Sequence, residues 1–105
     1  MKYLIVDDEA VTRKSLKGFL EQKKHSCKTA GNAEAALSIL EKEMFDFVIT
    51  DFKMRGMNGI DLLKRIRQKF SDTITIIITG YADVENTANA VNYGAKGFFQ
   101  KPLDI

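Results

Sequence analysis

The chain has 105 residues, which is enough for one domain with a small hydrophobic core. Its 16 basic and 14 acidic residues are interspersed and leave a net charge of +2, so the charge pattern does not indicate binding to nucleic acid. One cysteine, Cys27, excludes an internal disulfide, and no apolar stretch approaches the roughly 20 residues that cross a bilayer, so we expect a cytoplasmic protein that is not embedded in a membrane.

Apolar runs alternate along the chain with segments of helical periodicity. The predicted strands, in chain order, are Lys2–Val6, Ser26–Ala30, Asp46–Thr50, Thr73–Thr79 and Lys96–Gln100. Four amphipathic helices are predicted between them, with apolar stripes that include Val11 and Leu16, Ala36 and Met44, Leu62 and Phe70, and Val84 and Val91. Asn32 and Asp83 are predicted helix N-caps, and Gly94 is a predicted C-cap.

This alternation of strand and helix predicts an α/β fold. Because βαβ crossovers are right-handed, the strands form a parallel sheet that helices cover on both faces, which is a doubly wound arrangement. The strands are apolar for most of their length, as expected for strands that are buried on both faces. The chain stops at Ile105, shortly after the fifth strand, although a further helix would be needed to cover that end of the sheet.

Acidic residues follow the first predicted strand directly. The apolar run Tyr3–Val6 continues into Asp7, Asp8 and Glu9, although carboxylates are costly to bury. Ligands bind at the carboxyl ends of the strands in open parallel sheets. The chain places further polar residues there, after the third, fourth and fifth strands: Asp51, Thr79 and Lys101. If the first and third strands are neighbours, these side chains lie on one rim.

The charges on this rim indicate what it can bind. Three aspartates and one lysine total −2, and like charges a few ångströms apart resist joint ionisation, so the cluster takes up either a proton or a divalent cation. Mg²⁺ is favoured because it prefers one or two carboxylates with water, and these segments contain no histidine or cysteine for zinc or copper. A carboxylate beside Mg²⁺, with a lysine and a hydroxyl nearby, can accept a phosphoryl group.

A simpler interpretation exists for the first acids. Acidic side chains at a helix N-terminus are stabilised by the helix macrodipole without any ligand. For Asp7 and Asp8 the convergence with Asp51 and Lys101 favours the ligand site. For Glu9 both interpretations stay open.

The chain resembles the receiver domain of bacterial two-component response regulators. The resemblance spans the whole chain and is carried by five segments, Leu4–Glu9, Asp51–Met54 with Gly56–Gly59, Ile78–Asp83, Gly94–Gly97 and Phe98–Pro102. It implies a flavodoxin-like sheet of strand order 2-1-3-4-5. It also implies that a sensor histidine kinase or a phosphotransfer protein is the partner that donates phosphate.

The resemblance assigns roles to individual residues. Asp51 would accept the phosphoryl group, and Asp7, Asp8, Asp51 and the backbone carbonyl of Lys53 would hold Mg²⁺. Two further residues, Thr79 and Lys101, would contact the phosphoryl oxygens. Thr79 and the aromatic residue Phe98 would form the conformational switch, and the Lys101–Pro102 bond would be cis. Phe98 stands where the family frequently has tyrosine, so we expect its buried position to be favoured even without phosphate.

The chain departs from the family pattern at two points. Arg55 occupies the position after Met54 where the family usually has proline, which would loosen the loop or offer a charge to a partner. The family's fifth helix is absent, so residues 1–105 are interpreted as one receiver domain truncated after the fifth strand. We therefore expect the bare face of the sheet to be buried by self-association into a homodimer, or else the chain to melt early. An output domain beyond Ile105, for example one that binds DNA, is a further expected partner.

Two other functions are weighed against the phosphoacceptor. A phosphatase of the haloacid dehalogenase type also has an acid after its first strand, but it needs a threonine two residues beyond its second acid, a cap and a longer chain. A receiver-like interaction module that never takes phosphate would have no use for the acidic cluster. A dinucleotide-binding Rossmann domain is excluded because no Gly-x-Gly-x-x-Gly follows the first strand. We therefore expect a signalling domain that catalyses only its own phosphorylation and dephosphorylation.

Overall fold

The computed structural model describes residues 1–80 and 84–101, and for residues 84–87 it describes the backbone alone. The predicted N-cap Asp83 and the predicted cis bond between Lys101 and Pro102 fall outside the described residues. Among the helices in the described part of the chain, none has both the length and the apolar character needed to cross a bilayer.

Five strands and four helices alternate along the chain. The strands are β1 (Lys2–Val6), β2 (Ser26–Ala30), β3 (Phe47–Asp51), β4 (Ile74–Thr79) and β5 (Gly97–Gln100). The helices are α1 (Ala10–Gln22), α2 (Ala33–Lys42), α3 (Gly59–Lys69) and α4 (Val84–Asn92). All neighbouring strands are parallel and their order is β2-β1-β3-β4-β5, which confirms the predicted α/β fold and strand order.

Successive residues of the central strands point to opposite faces of the sheet, so each strand supplies two cores. On β1, Leu4 and Val6 pack with residues of α2 and α3, whereas Ile5 packs with Leu16 and Leu20 of α1. All three β1 residues are fully buried. The run of consecutive apolar residues in the sequence therefore reflects burial on both faces, and the doubly wound arrangement is confirmed.

Val11, Met44 and Val91 were assigned to apolar helical stripes but are exposed, and these predictions were wrong. Among the described side chains of α4 the buried one is Ala90, next to Val91, so Val91 points away from the core. Val11 is 78% exposed because it lies nine residues, or two and a half turns, before Leu20, which puts the two side chains on opposite sides of α1. Met44 is 80% exposed because α2 ends at Lys42 and Glu43 is already in an extended conformation, with φ −152° and ψ 155°. The helical stripe does not continue to Met44.

The helix ends are set by short polar side chains and by one glycine. Asn32 Oδ1 accepts a hydrogen bond from the backbone N–H of Ala35 at 2.7 Å, which confirms the predicted N-cap of α2. Asn58 caps α3 in the same way, through the backbone N–H of Asp61. Gly94, two residues after α4, has φ +96°, the left-handed conformation expected of a C-terminal cap.

A candidate acidic site at the carboxyl end of the sheet

The carboxyl ends of the parallel strands bring the predicted site residues to one rim. Val6 at the end of β1 pairs with Thr50 of β3, so Asp7 and Asp51 follow on adjacent strands at the same level. One carboxylate oxygen from each of Asp7, Asp8 and Asp51 lies within 4.8 Å of the others. Asp7 and Asp51 are buried, and Asp8 is exposed at the edge of the cluster.

Lys101 places its ammonium group among these acids. Its Nζ atom lies 2.9 Å from Asp7 Oδ2, 3.1 Å from Asp51 Oδ2 and 3.1 Å from Glu9 Oε1. Burial alone would lower the pKa of the lysine, but the hydrogen bonds to the three carboxylates outweigh it and raise the pKa. Lys101 is therefore a permanent cation at this site over the whole physiological range of pH.

Asp7 is held through each of its polar groups. Its backbone N–H donates to Ala30 O at 3.1 Å, and its backbone oxygen accepts from Arg13 Nη1 at 2.7 Å. Its Oδ1 accepts from the backbone N–H of Glu9 at 2.9 Å, and its Oδ2 accepts from Lys101. These bonds offset the desolvation of a fully buried carboxylate and fix its orientation. The sequence did not point to the roles of Arg13 and Glu9 in this network.

Asp51 sits against a tightly packed loop. The backbone N–H of Phe52 donates to Ile78 O at 3.0 Å, and the backbone N–H of Gly59, at the start of α3, donates to Phe52 O at 2.8 Å. A Cβ atom on Gly59 would lie 2.4 Å from the backbone oxygen of Asp51, so only glycine permits this approach of α3 to the end of β3.

The electrostatic environment of Asp51 opposes its ionisation. Burial raises the pKa of its carboxyl group, the hydrogen bond from Lys101 counteracts this effect, and the charge of Asp7 adds to it. The net shift is upward. Separately, the three aspartates carry more negative formal charge than the single ammonium group of Lys101 compensates, and an additional cation would offset the remainder.

Thr79 and Lys101 are joined through the backbone. Thr79, the last residue of β4, is fully buried, and its backbone oxygen accepts a hydrogen bond from the backbone N–H of Lys101 at 2.7 Å. Phe98 lies on β5 opposite Ile77 and is half-buried, whereas the adjacent Phe99 is exposed. The expectation that Phe98 favours a buried position without phosphate stays a prediction, since it concerns a comparison of two states.

The loop after β3 forms one wall of an open cleft beside the acids. The cleft has a volume of about 480 Å³ and is lined by Asp8, Phe52, Lys53, Met54, Arg55, Gly56 and Asn58. The side chains of Lys53 and Arg55 are exposed here. The cleft leads from solvent to the exposed carboxylate of Asp8, which gives a small ion or an anionic group access to the site.

The donor set fits a hard divalent cation. Mg²⁺ binds oxygen ligands and keeps several waters, so a compact group of three carboxylates with one exposed member matches its preference. The ammonium of Lys101 already occupies cation-binding positions on two of these acids, which shows that the folded chain attracts positive charge here. Asp7, Asp8 and Asp51 are thus suited to hold Mg²⁺, and the backbone carbonyl of Lys53 lies two residues beyond Asp51 in the loop.

Comparison with known proteins gives one family. The family model described as "Response regulator receiver domain" matches residues 3–105. The chain is 35% identical to the response regulator protein PilR of Pseudomonas aeruginosa, over 99% of this chain and 23% of that protein. It is 39% identical to the chemotaxis protein CheY-3 of Vibrio cholerae, over 98% and 82%. The chain thus spans about a quarter of the first relative and about four fifths of the second.

Solved structures agree with the sequence matches. A CheY-like receiver domain protein from Methanospirillum hungatei superposes with a TM-score of 0.94 at 32% identity, covering 98% of this chain and 82% of that one. A response regulator from Burkholderia pseudomallei, solved with a phosphorylated aspartic acid, a calcium ion and citrate, gives a TM-score of 0.92 at 27% identity, covering 98% and 61%.

Proposed function

The chain belongs to the response regulator receiver domain family, and from this premise we propose that Asp51 accepts a phosphoryl group from a histidine kinase or a phosphotransfer protein in a Mg²⁺-dependent reaction. The observation that carries the proposal is the convergence of Asp7, Asp8 and Asp51 within 4.8 Å around one lysine. The phosphorylated aspartic acid in the Burkholderia pseudomallei relative supports the same chemistry for this site.

Asp51 acts as the nucleophile. One of its carboxylate oxygens attacks the phosphorus of the donor, the bond from phosphorus to the donor atom breaks, and the donor leaves with that electron pair. The product is an acyl phosphate on Asp51. Burial of the carboxylate removes competing water and holds it beside Lys101, so the reacting groups are aligned before the donor arrives.

The other residues of the rim stabilise the charge of the phosphoryl group. Asp7, Asp8, Asp51 and the carbonyl of Lys53 would hold Mg²⁺, which when bound neutralises phosphoryl oxygens. Lys101 supplies a fixed ammonium for one oxygen, and the hydroxyl of Thr79 donates to another.

The switch follows from the connection between the strands that carry these groups. Movement of Thr79 or Lys101 toward the phosphoryl group shifts the ends of β4 and β5, which the bond from Lys101 N–H to Thr79 O joins. Phe98 lies on β5, three residues before Lys101, so its packing responds to that shift. This is the route by which we propose that phosphorylation reaches an output domain or a partner in the cytoplasm.

The competing functions differ in what they require. The match to the receiver family over residues 3–105 favours a signalling domain over a haloacid dehalogenase-type phosphatase. Like other acyl phosphates, the product is removed by water, so the only turnover we propose is self-catalysed phosphorylation and dephosphorylation. PilR is more than four times as long as this chain, which supports the proposal of an output domain next to the receiver.

The phosphoacceptor is tested by intact mass after incubation with acetyl phosphate and Mg²⁺. We expect the parent chain to gain one phosphoryl group, Asp51→Asn to gain none, and the control Asp72→Asn, an exposed acid in the turn between α3 and β4, to behave as the parent does. An unmodified parent would support the interaction module without phosphate. Steady hydrolysis of unrelated phosphate esters would support the phosphatase.

Mg²⁺ binding is tested by thermal unfolding. A cation that binds the folded chain alone stabilises it by about 1.4 kcal/mol at tenfold excess over its Kd. We expect the melting temperature of the parent to be higher in Mg²⁺ than in EDTA. Asp8→Asn removes an exposed ligand without opening the core and should lose most of this shift. An equal shift in the variant would contradict the assignment of Asp8.

A further inference from the structure

Glu9 engages the lysine that the phosphoryl group needs. We propose that Glu9 is a displaceable partner of Lys101 that competes with the phosphoryl group and so weakens its binding at the site. This inference rests on the proposed function, because it assumes that Lys101 pairs with a phosphoryl oxygen. It starts from the contact of 3.1 Å between Lys101 Nζ and Glu9 Oε1.

The number of donors on the lysine sets up the competition. An ammonium group has three N–H donors and accepts no hydrogen bond. In the folded chain three carboxylates, those of Asp7, Glu9 and Asp51, lie within hydrogen-bonding distance of Nζ. A phosphoryl oxygen that pairs with Lys101 must therefore replace one of these three contacts.

Burial identifies the contact that is easiest to replace. The side chain of Asp7 is fully buried and that of Asp51 is 8% exposed, so either would lose its charged partner in a poorly solvated environment. The side chain of Glu9 is 64% exposed and regains hydration when it turns away. Asp51 also remains next to Lys101 when it carries the phosphoryl group. Glu9 is therefore the partner that is released.

The charge of the phosphoryl group also favours the release of Glu9 from Lys101. A phosphoryl group brings about two negative charges, which repel a carboxylate that shares the same ammonium. The backbone of Glu9 stays fixed, because its N–H donates to Asp7 Oδ1 at 2.9 Å, so the side chain can leave without disturbing the loop that carries Asp7 and Asp8. Glu9 is thus a positioning residue that holds Lys101 in the resting state and withdraws on phosphorylation.

The first test measures affinity for beryllofluoride, a phosphoryl analogue, in the presence of Mg²⁺ by NMR titration. We expect Glu9→Gln to tighten binding roughly two- to five-fold, the range that loss of an exposed competing ion pair implies. Glu9→Asp keeps the charge but is one methylene shorter, so it should tighten binding less. The control Glu41→Gln removes an exposed acid from its ion pair with Lys69 and should match the parent.

The second test observes the lysine without metal or phosphate. In the parent, the Nζ resonance of Lys101 should show slow hydrogen exchange, and Glu9→Gln should speed that exchange, which a general loss of stability would not do at Lys101 alone. An unchanged Lys101 signal, or a changed signal with unaltered or weaker beryllofluoride affinity, would overturn the competition. If the parent chain does not bind beryllofluoride, the proposed function is wrong, and the proposed competition, which depends on it, is then also wrong.

Discussion

At the scale of single residues, the position of the proposed nucleophile depends on a glycine. Gly59 begins α3, and its Cα lies so close to the end of β3 that a Cβ atom would approach the backbone oxygen of Asp51 to 2.4 Å and Phe52 Cα to 3.0 Å. Both contacts are with backbone, which cannot rotate away. The site is therefore held by close packing as well as by its charges.

We predict that Gly59→Ala destabilises the chain by roughly 1–3 kcal/mol, the usual cost of overpacking, and slows phosphorylation of Asp51 by moving its backbone. Chemical denaturation gives the stability, and intact mass after timed incubation with acetyl phosphate gives the rate. The matched control is Gly18→Ala in α1, where no atom lies within 4 Å of the added Cβ. Since alanine has a higher helix propensity than glycine, Gly18→Ala should raise the free energy of unfolding by about 0.5–1 kcal/mol. Equal effects of the two changes would contradict the role of Gly59.

The sequence indicated the acids and the lysine because their positions follow directly from strand ends. It did not indicate Arg13, whose guanidinium reaches back from α1 to the backbone oxygen of Asp7, nor the contact of Glu9 with Lys101. Both depend on the path of the β1–α1 loop and on long side chains. A periodicity argument assigns residues to faces, but it does not predict such contacts.

At the scale of elements, an ion-pair cluster joins the end of α2 to β1 and β2, on the side of the sheet away from β5. Glu43, the residue after α2, lies 2.8 Å from Lys2 Nζ of β1 and 2.6 Å from Lys28 Nζ of β2. The close contacts with these two ammonium groups, that with Lys2 first, lower the pKa of Glu43. The ionised carboxylate thus ties two neighbouring strands and one helix together.

The pKa of Glu43 is lower in the folded chain than in the unfolded chain, where a glutamate has a pKa of about 4.3. The ionised carboxylate therefore stabilises the fold at pH values above the unfolded pKa. This stabilisation is lost as the pH falls through the pKa of the folded state. We therefore predict that Glu43→Gln lowers the melting temperature at pH 7 by a small amount, and that the difference disappears in strong acid. Thermal unfolding followed by circular dichroism measures both. Glu21→Gln, an exposed acid near the end of α1, is the control. If the melting temperature of Glu43→Gln stays below that of the parent in acid, packing rather than charge is responsible for the difference.

The sequence patterns predict the order of the elements better than the residues at which they begin and end. β1 and β2 have the predicted bounds, while β3 is shifted by one residue, from Asp46–Thr50 to Phe47–Asp51. The backbone N–H of Asp46 still donates to Lys2 O, and its backbone oxygen accepts from the N–H of Ile74, so the difference concerns only where the regular ladder begins. Polar residues at strand ends carry no periodic signal, and the register is set by pairing with neighbouring strands.

At the scale of the whole molecule, the face of the sheet that packs on α1 continues onto β5. Phe99 pairs in register with Ile78, which belongs to the core on the α1 side, yet Phe99 is 54% exposed. Its ring folds back over Gly97, where a Cβ atom would come within 2.8 Å of it. Among the described residues, no helix lies over this end of the face.

We predict that the 105-residue chain self-associates through this face, as the sequence led us to expect, because an exposed aromatic side chain on an edge strand favours burial against a second copy. Sedimentation velocity over a range of concentrations should show a shift toward dimer, and Phe99→Ser should weaken it at least several-fold. The control is Val91→Ser, which removes a similarly exposed apolar side chain from α4. A monomer at every concentration would refute the prediction.

The topology was predictable because several independent patterns agreed. Apolar runs of strand length, helical stripes between them and right-handed crossovers leave few arrangements, and the motifs around Asp7, Asp51 and Lys101 added the strand order. Side-chain exposure at the ends of elements, as at Val11 and Met44, was less predictable because it depends on where each helix begins and ends.

The ion pair between Lys101 and Asp7 joins residues that are 94 positions apart in the chain. Synthesis adds about 5–20 residues per second, so the ribosome makes Asp7 about 5 to 20 seconds before Lys101. Throughout that interval the nascent chain has its acids without their lysine counter-ion. The site can therefore assemble only after β5 and Lys101 have been synthesised, and a polypeptide interrupted before β5 would carry the acids without the group that holds them together.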